Sequence, residues 1–274
     1  MKSGSVRIQG ASAACIAIAM ASAATAAEPA ANPSLTKDWV FEAGAIFQQL
    51  DGDATSEGSL TGGKVRFSQI GLDGSETVPY LAMRWRFADD WRFDFNFTSL
   101  DASGSKSNNS IFEFGHSKFG IGYQLDSDYD QQVYTSSIGY SFIKDNQSEF
   151  GGRLGLTVLH ADVSLKGSLG NLTAGPEEAG NTWVVPTLGL YGTYAISNQW
   201  TIDGSFDGMA FSYEGYKGYY IAATANVTYW FTDMFAVAAG YRFIDADLQH
   251  DGSNWDEEIQ VRTSGPVVKA TVGF

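Results

Sequence analysis

The stretch WRFADDWRFDFNF, residues 85–97, decides the fold class because its side chains alternate in character on both sides of a short turn. One set of alternate positions is aromatic, namely Trp85, Phe87, Trp91, Phe93, Phe95 and Phe97. The other set is polar, namely Arg84, Arg86, Arg92, Asp94 and Asn96. A period of two predicts two β-strands joined at 88–90. A soluble sheet would turn the rings into a core, whereas a membrane barrel would turn them toward lipid.

Composition and charge narrow the class of protein. The 274 residues include 31 glycines and 13 tyrosines, but only 18% are charged. After residue 38 no apolar run approaches the ~18 residues that a membrane helix requires, so a helical membrane protein is excluded. Acidic residues outnumber basic ones by 31 to 17. A surface of this sign repels phosphates, which argues against a nucleic-acid partner.

Residues 1–27 have the pattern of a cleavable signal peptide. Lys2 and Arg7 precede a short apolar stretch, and ATAAE offers a small-residue cleavage site after Ala26 or Ala27. Loss of this segment also removes the only cysteine of the chain. The mature protein is therefore expected to be exported without a disulfide.

The mature chain is predicted to be a short linker followed by one repetitive β domain. Residues 28–37 predict an extended periplasmic linker, and four hairpin-like units follow between 38 and 274. The units share two alternating runs of about ten residues, which suffice to cross a bilayer when tilted by ~45°. Their short polar turns lie at 88–90, 144–149, 197–199 and 232–234. Long polar loops are expected on the opposite side, at 49–74, 103–130 and 164–182.

The number of strands follows from these units. Four hairpins contribute eight strands, and residues 38–49 and 258–274 add a first and a last strand. With an even number, both termini lie on the short-turn side, where the end strands can pair and leave no open edge in hydrocarbon. The prediction is an all-β, transmembrane, antiparallel up-and-down β-barrel of ten strands. Eight strands are one alternative, and twelve are another if 64–72 and 112–125 add a pair.

The two faces of the predicted strands differ in charge. Positions assigned to the outer face, such as Phe41, Ile138 and Leu188, are uncharged. An arginine that faced lipid near the midplane would cost ~2–4 kcal/mol. The rings of 85–97 are therefore expected to face lipid and the charges to face the lumen. The predicted lumen charge network consists of Glu42, Arg84, Arg86, Arg92, Asp94, Arg153, Asp203, Asp207, Arg242 and Lys269.

Aromatic residues predict two belts at the two headgroup levels, where amphipathic rings are favoured. One belt lies beside the short turns and includes Trp85, Trp91 and Trp200. The other lies toward the long loops and consists of Tyr213, Tyr216, Tyr219 and Tyr220.

The mature chain resembles the small Gram-negative outer-membrane β-barrel proteins, which include porin-like and surface-antigen-like members. The resemblance rests on the signal peptide, the short turns and a C-terminal segment that looks like the assembly signal of such barrels. In that segment an apolar residue stands at every second position, namely Val268, Ala270, Val272 and Phe274. The resemblance implies residence in the cell outer membrane, contact with its lipid and lipopolysaccharide, and partnership with periplasmic chaperones and the barrel-assembly machinery. It does not specify an activity.

Two arrangements invite an enzymatic interpretation. His250-Asp251, with Asp245 and Asp247 before it, resembles the rim chemistry of ten-stranded outer-membrane proteases. The paired aspartates of that family are not matched, because other rim acids such as Asp101 stand alone. A solvated acidic loop is therefore favoured over a protease site.

The second arrangement is His160 with Ser164, the one candidate for a lipid-A-modifying site, which needs a histidine near a hydroxyl or carboxylate at lipid height. Hydroxyl residues are common in every strand, so this interpretation is also disfavoured. No catalytic residue is assigned.

Asp126, Asp128 and Asp130 begin with the spacing of a calcium loop. Gln131 and Ser137 then occupy the positions that need Gly and Glu, so the EF-hand interpretation fails. A hydrated acidic loop is favoured over weak divalent-cation bridging to lipopolysaccharide. No metal site and no cofactor are predicted.

Two functional classes follow from the predicted lumen. A barrel of about ten strands has little free interior, which favours a non-enzymatic structural or surface-interaction protein whose lumen is filled by charged side chains. A narrow porin or channel for small solutes is the alternative, and a barrel protease or lipid-modifying enzyme is a second alternative.

Deletion of Phe274, or its replacement by a charged residue, should leave export intact and trap the chain in the periplasm, because the terminal residue of the assembly signal is lost. Fractionation of periplasm and outer membrane measures this. Normal outer-membrane levels of the variant would contradict the C-terminal interpretation.

Overall fold

A closed antiparallel β-barrel accounts for most of the described chain in the computed structural model. The described residues are 31–58, 62–72, 74–107, 112–114, 117–213, 216–251 and 255–274. The predicted signal peptide, residues 1–27, lies outside them. Within these ranges, no helix has the length and apolar character needed to cross a bilayer.

The described residues contain thirteen strands, ten of which form the barrel wall. In chain order they are β1 (Trp39–Gly58), β2 (Gly62–Arg66), β3 (Ser75–Ala88), β4 (Trp91–Ser107), β5 (Phe112–Phe114), β6 (Ser117–Phe119), β7 (Gln124–Lys144), β8 (Ser148–Leu169), β9 (Leu172–Ala195), β10 (Trp200–Tyr213), β11 (Tyr216–Trp230), β12 (Phe235–Asp251) and β13 (Trp255–Gly273). The short strand β2 pairs with the far end of β1, and β5 pairs with β6 in a separate hairpin.

Pairing of the first and last wall strands closes the sheet. β1 pairs with β13 from Val40 opposite Gly273 onward, and Trp39 and Phe274 exchange backbone hydrogen bonds of 3.1 and 2.9 Å. The prediction of ten strands is confirmed, and the alternative of twelve is wrong. Residues 64–72 form part of β2 and a 3-10 turn at Phe67–Gln69, whereas 112–125 form the β5–β6 hairpin and the start of β7.

Three of the short turns lie within one residue of their predicted bounds, and the turn predicted at 144–149 is shortened to 145–147. The predicted long loops, however, are mostly strand: β1 continues to Gly58 and β2 follows it within the predicted loop 49–74. β8 and β9 continue to a turn at Gly170-Asn171, so the segment 164–182 is a hairpin. Likewise, β4 extends to Ser107 and β7 begins at Gln124, within the predicted loop 103–130. These extensions escaped the sequence analysis because their alternation has the opposite polarity.

The polarity of the two faces inverts along the wall. In β8, Leu154 and Leu156 are exposed on the outside of the barrel while Arg153 points inward. Farther along, Leu159 is fully buried inside and His160 lies outside. The change occurs at the level of Gln132, His160 and Thr182, which are paired in register across β7, β8 and β9. We call the part toward the short turns the membrane half and the part beyond this level the outer half.

The outer half has an apolar core of its own. The segment after β2 contributes Phe67, Ile70 and Leu72, which are 0–2% exposed. Inward residues of the wall strands, including Leu159 and Trp183, pack in the same cluster. Water, rather than lipid, surrounds a barrel beyond the membrane, so apolar side chains gain most by turning inward.

The N-terminal segment occupies the other mouth of the barrel. Where an extended linker was expected, Pro33–Thr36 form one helical turn, α1, with Asn32 as its cap. Trp230 donates its indole N–H to Ser34 Oγ at 2.7 Å, and Arg86 donates to the carbonyl of Lys37 at 2.7 Å. These bonds hold α1 inside the mouth on the short-turn side.

One of the two predicted aromatic belts is present. Beside the short turns, rings are in contact on the outer face: Trp39 and Trp85 stack with centroids 5.1 Å apart, and Trp200 and Tyr229 pack in a tilted pair with centroids 4.7 Å apart. The prediction of a second belt is wrong for Tyr220, which points into the lumen and is 2% exposed. The side chains of Tyr213 and Tyr216 lie outside the described residues.

Single cysteines at Ser105 and Asn198 test the orientation. Ser105 lies on the outer wall of the outer half, and Asn198 lies in a short turn. An impermeant thiol reagent applied to intact cells should label Ser105→Cys and leave Asn198→Cys unlabelled, because the short turns are predicted to face the periplasm. Labelling of Asn198→Cys alone would show that the barrel has the opposite orientation in the membrane.

Candidate functional site

Arginines and carboxylates fill the lumen of the membrane half. The register of β3 and β4 places Arg84 opposite Asp94, with Nε 3.3 Å from Oδ1. The same register places Arg86 opposite Arg92, and the Nε of Arg92 lies 2.8 Å from the second oxygen of Asp94. Three arginines of β3 and β4 thus lie close together, and Asp94 is the only carboxylate in this part of the two strands, which requires further negative charge nearby.

Glu149 supplies that charge and was not in the predicted network. Its carboxylate accepts a hydrogen bond from Arg86, lies 3.7 Å from Nη1 of Arg92, and accepts from Ser141 Oγ at 2.8 Å. The sequence pattern did not identify Glu149 as a lumen residue because Glu149 was predicted to lie in the turn 144–149. Glu149 and Arg153 are four positions apart on β8, so a strand beginning one residue earlier would have placed both on the inward face.

The remaining predicted residues line the lumen from β1 and from β8 to β13. Arg153 donates from Nε to Asp207 at 2.7 Å, and the Lys269 ammonium lies 2.9 Å from Glu42. Asp203 accepts from the neutral donors Asn226 and Thr228 at 2.7 and 3.3 Å. Arg242 lies 5.6 Å from the ring centroid of Tyr80. All ten predicted network residues thus have lumen-side positions.

An internal cavity of about 100 Å³ lies among these side chains. Its wall includes Arg84, Asp94, Asp203 and Arg242. The apolar core of the outer half lies on one side of the network, and α1 lies on the other. Side chains therefore occupy the lumen at three successive levels.

Acidic residues line up on the outer wall just beyond the lipid boundary. Asp130 pairs in register with Asp101 on β4 and with Asp162 on β8. The expectation that Asp101 stands alone is therefore wrong. A hydrogen bond shared with Asp101, together with partial burial and the charges of Asp101, Asp162 and Asp128, raises the pKa of Asp130.

His160 lies on the same outer wall and has partners at both ring nitrogens. Its Nε2 is 2.7 Å from Asp162, and its Nδ1 is 2.8 Å from the hydroxyl of Thr182. Ser164, the predicted hydroxyl partner, lies two positions beyond Asp162 and pairs in register with Glu178. A hydroxyl, an imidazole and a carboxylate are thus adjacent, but the surrounding strand N–H groups belong to the sheet ladder and are not free to stabilise an oxyanion.

The first enzymatic candidate, the protease-like arrangement, is only partly described by the structure. Asp245 points to the outside, where it forms an ion pair with Arg262 at 2.6 Å and accepts from Tyr219 at 3.1 Å. The side chains of His250 and Asp251 lie outside the described residues, as does His116. Among the described residues, no group of three or more His, Cys, Asp or Glu side chains is placed to hold a metal ion.

The C-terminal residues have the expected outward direction. Val268 and Phe274 are more than half exposed, and Ala270 is also exposed. Phe274 contacts the ring of Phe41 with centroids 6.0 Å apart, so the terminal ring belongs to the aromatic belt. This leaves the C-terminal β13 surface accessible from the lipid side.

Comparison with known proteins shows the fold and leaves the role open. No protein-family model matches the chain, and no curated protein matches its sequence. The outer-membrane protease OmpT of Escherichia coli is similar over 87% of this chain and 98% of its own, with 11% identity and a TM-score of 0.51. The toluene transporter TodX of Pseudomonas putida matches over 90% of this chain and 93% of its own, with 11% identity and a TM-score of 0.33. This chain has the fold of small outer-membrane β-barrels.

Replacing Arg92 by alanine tests the lumen network. The change leaves Glu149 and Asp94 short of a cation in a buried space, and loss of one partner of a buried pair typically costs ~3–5 kcal/mol. The melting temperature in detergent should fall clearly. Phe93→Leu, on the lipid side of the same strand, is the control and should cost little. The reverse order of damage would mean that the faces are inverted.

Replacing Asp130 by asparagine tests the acidic row. Because the folded-state pKa of Asp130 is raised, its ionised form destabilises the fold, and the penalty grows as pH rises through that pKa. Asp130→Asn should therefore raise the melting temperature at pH 7, and the gain should vanish below the pKa of an unfolded aspartate, ~3.9. Asp233→Asn, in an exposed periplasmic turn, should have no effect at either pH. A gain that is equal at both pH values would exclude the electrostatic explanation.

Proposed function

We propose that the protein is a sealed, non-enzymatic outer-membrane barrel with a structural or surface-interaction role. The observation that carries this proposal is the filling of the lumen at three levels, by α1, by the charge network and by the apolar core of the outer half. Its activity then resides in the surfaces that it presents outside the lumen.

Each level opposes passage for a different physical reason. An ion crossing the network would have to separate pairs such as Lys269 and Glu42, which are buried and therefore strongly coupled. Beyond the network it would meet Phe67, Ile70 and Leu159, where no polar group replaces its hydration shell. Narrow-channel activity, the alternative, would need both barriers to move.

The non-enzymatic part of the proposal rests on the placement of the catalytic candidates. His160 is held by Asp162 and Thr182 on the outer wall, without donors for a developing oxyanion. Asp245, which the protease interpretation requires, is bonded to Arg262. OmpT shares the fold at 11% identity, and such a similarity does not transfer its activity.

The outer half supplies the surface for interaction. The β8 strand continues for nine residues beyond His160, to Leu169, which is ~30 Å along the strand. Its outer side presents polar residues such as Asp162, Ser164 and Lys166 above the lipid. We infer that lipopolysaccharide surrounds the base of this half, and that periplasmic chaperones and the barrel-assembly machinery act on the chain before insertion.

Planar-bilayer recording of the refolded protein tests the sealed lumen. The wild-type barrel should give no conductance steps, and replacing residues 32–37 by a Gly-Ser segment should leave it silent because the apolar core still blocks the lumen. Heat-modifiable gel mobility verifies that both proteins are folded. Regular wild-type steps would favour the channel over the sealed barrel.

A further inference from the structure

The wall of the internal cavity carries an excess of positive charge. Five cationic side chains line it, namely Arg84, Arg92, Arg153, Arg242 and Lys269. Four carboxylates line it, namely Glu42, Asp94, Asp203 and Asp207. The pair formed by Arg86 and Glu149 lies outside this wall and is internally balanced. The cavity therefore has one uncompensated positive charge in a region of low dielectric, where such a charge is costly.

One cation of the cavity wall has no ion pair with a described carboxylate. Arg84 and Arg92 share Asp94, Arg153 is bonded to Asp207, and Lys269 is bonded to Glu42. Arg242 is the remaining cation of the wall and is 8% exposed. Among the described residues, its ion-pair distances to carboxylates exceed 4.0 Å, and its contacts are with the neutral phenols of Tyr80 and Tyr220.

The remaining carboxylate does not resolve this imbalance. Asp203 is hydrogen-bonded by Asn226 and Thr228, which are neutral donors. The charge of Asp203 is already counted among the four carboxylates of the wall, so the net charge of the wall stays at one positive charge.

We propose that the cavity binds one small monovalent anion, of the size of chloride, against Arg242. One negative charge balances the wall, whereas a divalent anion would reverse the excess. A volume of about 100 Å³ accommodates such an ion with a few waters, since a water molecule occupies ~30 Å³ in the liquid. The guanidinium of Arg242 and the ammonium of Lys269, 5.4 Å from the same Tyr80 ring, supply the positive field. This inference is independent of the proposed function, because a sealed barrel and a channel would both contain the site.

Thermal unfolding in matched salts tests the site. The refolded barrel is dialysed into sodium gluconate and titrated with sodium chloride at constant ionic strength. The melting temperature should rise by several degrees and saturate, because gluconate is too large for the cavity and an ion bound only to the folded state stabilises it. Sodium bromide should act like chloride. Equal melting temperatures in gluconate and chloride would overturn the proposal.

Two variants locate the effect. Arg242→Gln removes the excess charge, so its melting temperature should no longer respond to chloride. Arg262→Gln, which removes an arginine from the outer wall, should keep the wild-type response. A chloride response that persists in Arg242→Gln would overturn the assignment.

Bromide diffraction decides the matter if Arg242→Gln does not fold. Crystals of the wild-type barrel grown in sodium bromide should give an anomalous peak in the cavity beside Arg242. Bromide peaks confined to the outer wall, or their complete absence, would overturn the proposal.

Discussion

The inversion of polarity along the wall strands is the constraint on which the rest of the structure depends. A β-strand has two faces, and the medium outside the barrel decides which face must be apolar. In the membrane half, Leu154 and Leu156 meet lipid, so charges such as Arg153 are confined to the lumen. Beyond His160 the medium is water, and the same strand turns Leu159 and Val163 inward. One continuous wall thus encloses two different interiors.

Side chains fill the lumen in both halves, but for different physical reasons. In the membrane half, buried charges must be paired, and the closed sheet brings Arg86, Arg92 and Glu149 together from three strands. In the outer half, the segment of Phe67–Leu72 folds into the barrel because its apolar side chains are removed from water there. α1 completes the filling from the periplasmic side, since Arg86 and Trp230 offer donors to it.

The residues around His160 and the row of aspartates, which the sequence offered as catalytic or metal-binding candidates, lie on the outer wall. His160, Asp162 and Thr182 are adjacent because register places them so, and Asp101, Asp130 and Asp162 form a row for the same reason. Like charges opposite one another on a sheet are destabilising. The acidic row just above the lipid therefore destabilises the outer wall and belongs to the surface that the barrel presents. The charged side chains of the lumen, in contrast, form ion pairs with one another.

The sequence by itself predicted the class of fold, a barrel of eight to twelve strands with ten preferred, the short turns to within two residues, and the inward face for ten charged residues. It did so because a period of two and the exclusion of charge from the lipid-facing side are local properties of each strand. The tertiary structure decided what a period of two leaves open. Alternation shows that the two faces differ, but only the height of a residue in the closed barrel determines which face meets lipid. For this reason alternation alone predicts loops at 103–130 and 164–182, where the structure has strands. Closure also chose the partners: Glu149 joins Arg86 and Arg92 across 57 to 63 positions of the chain, and no local pattern encodes that contact.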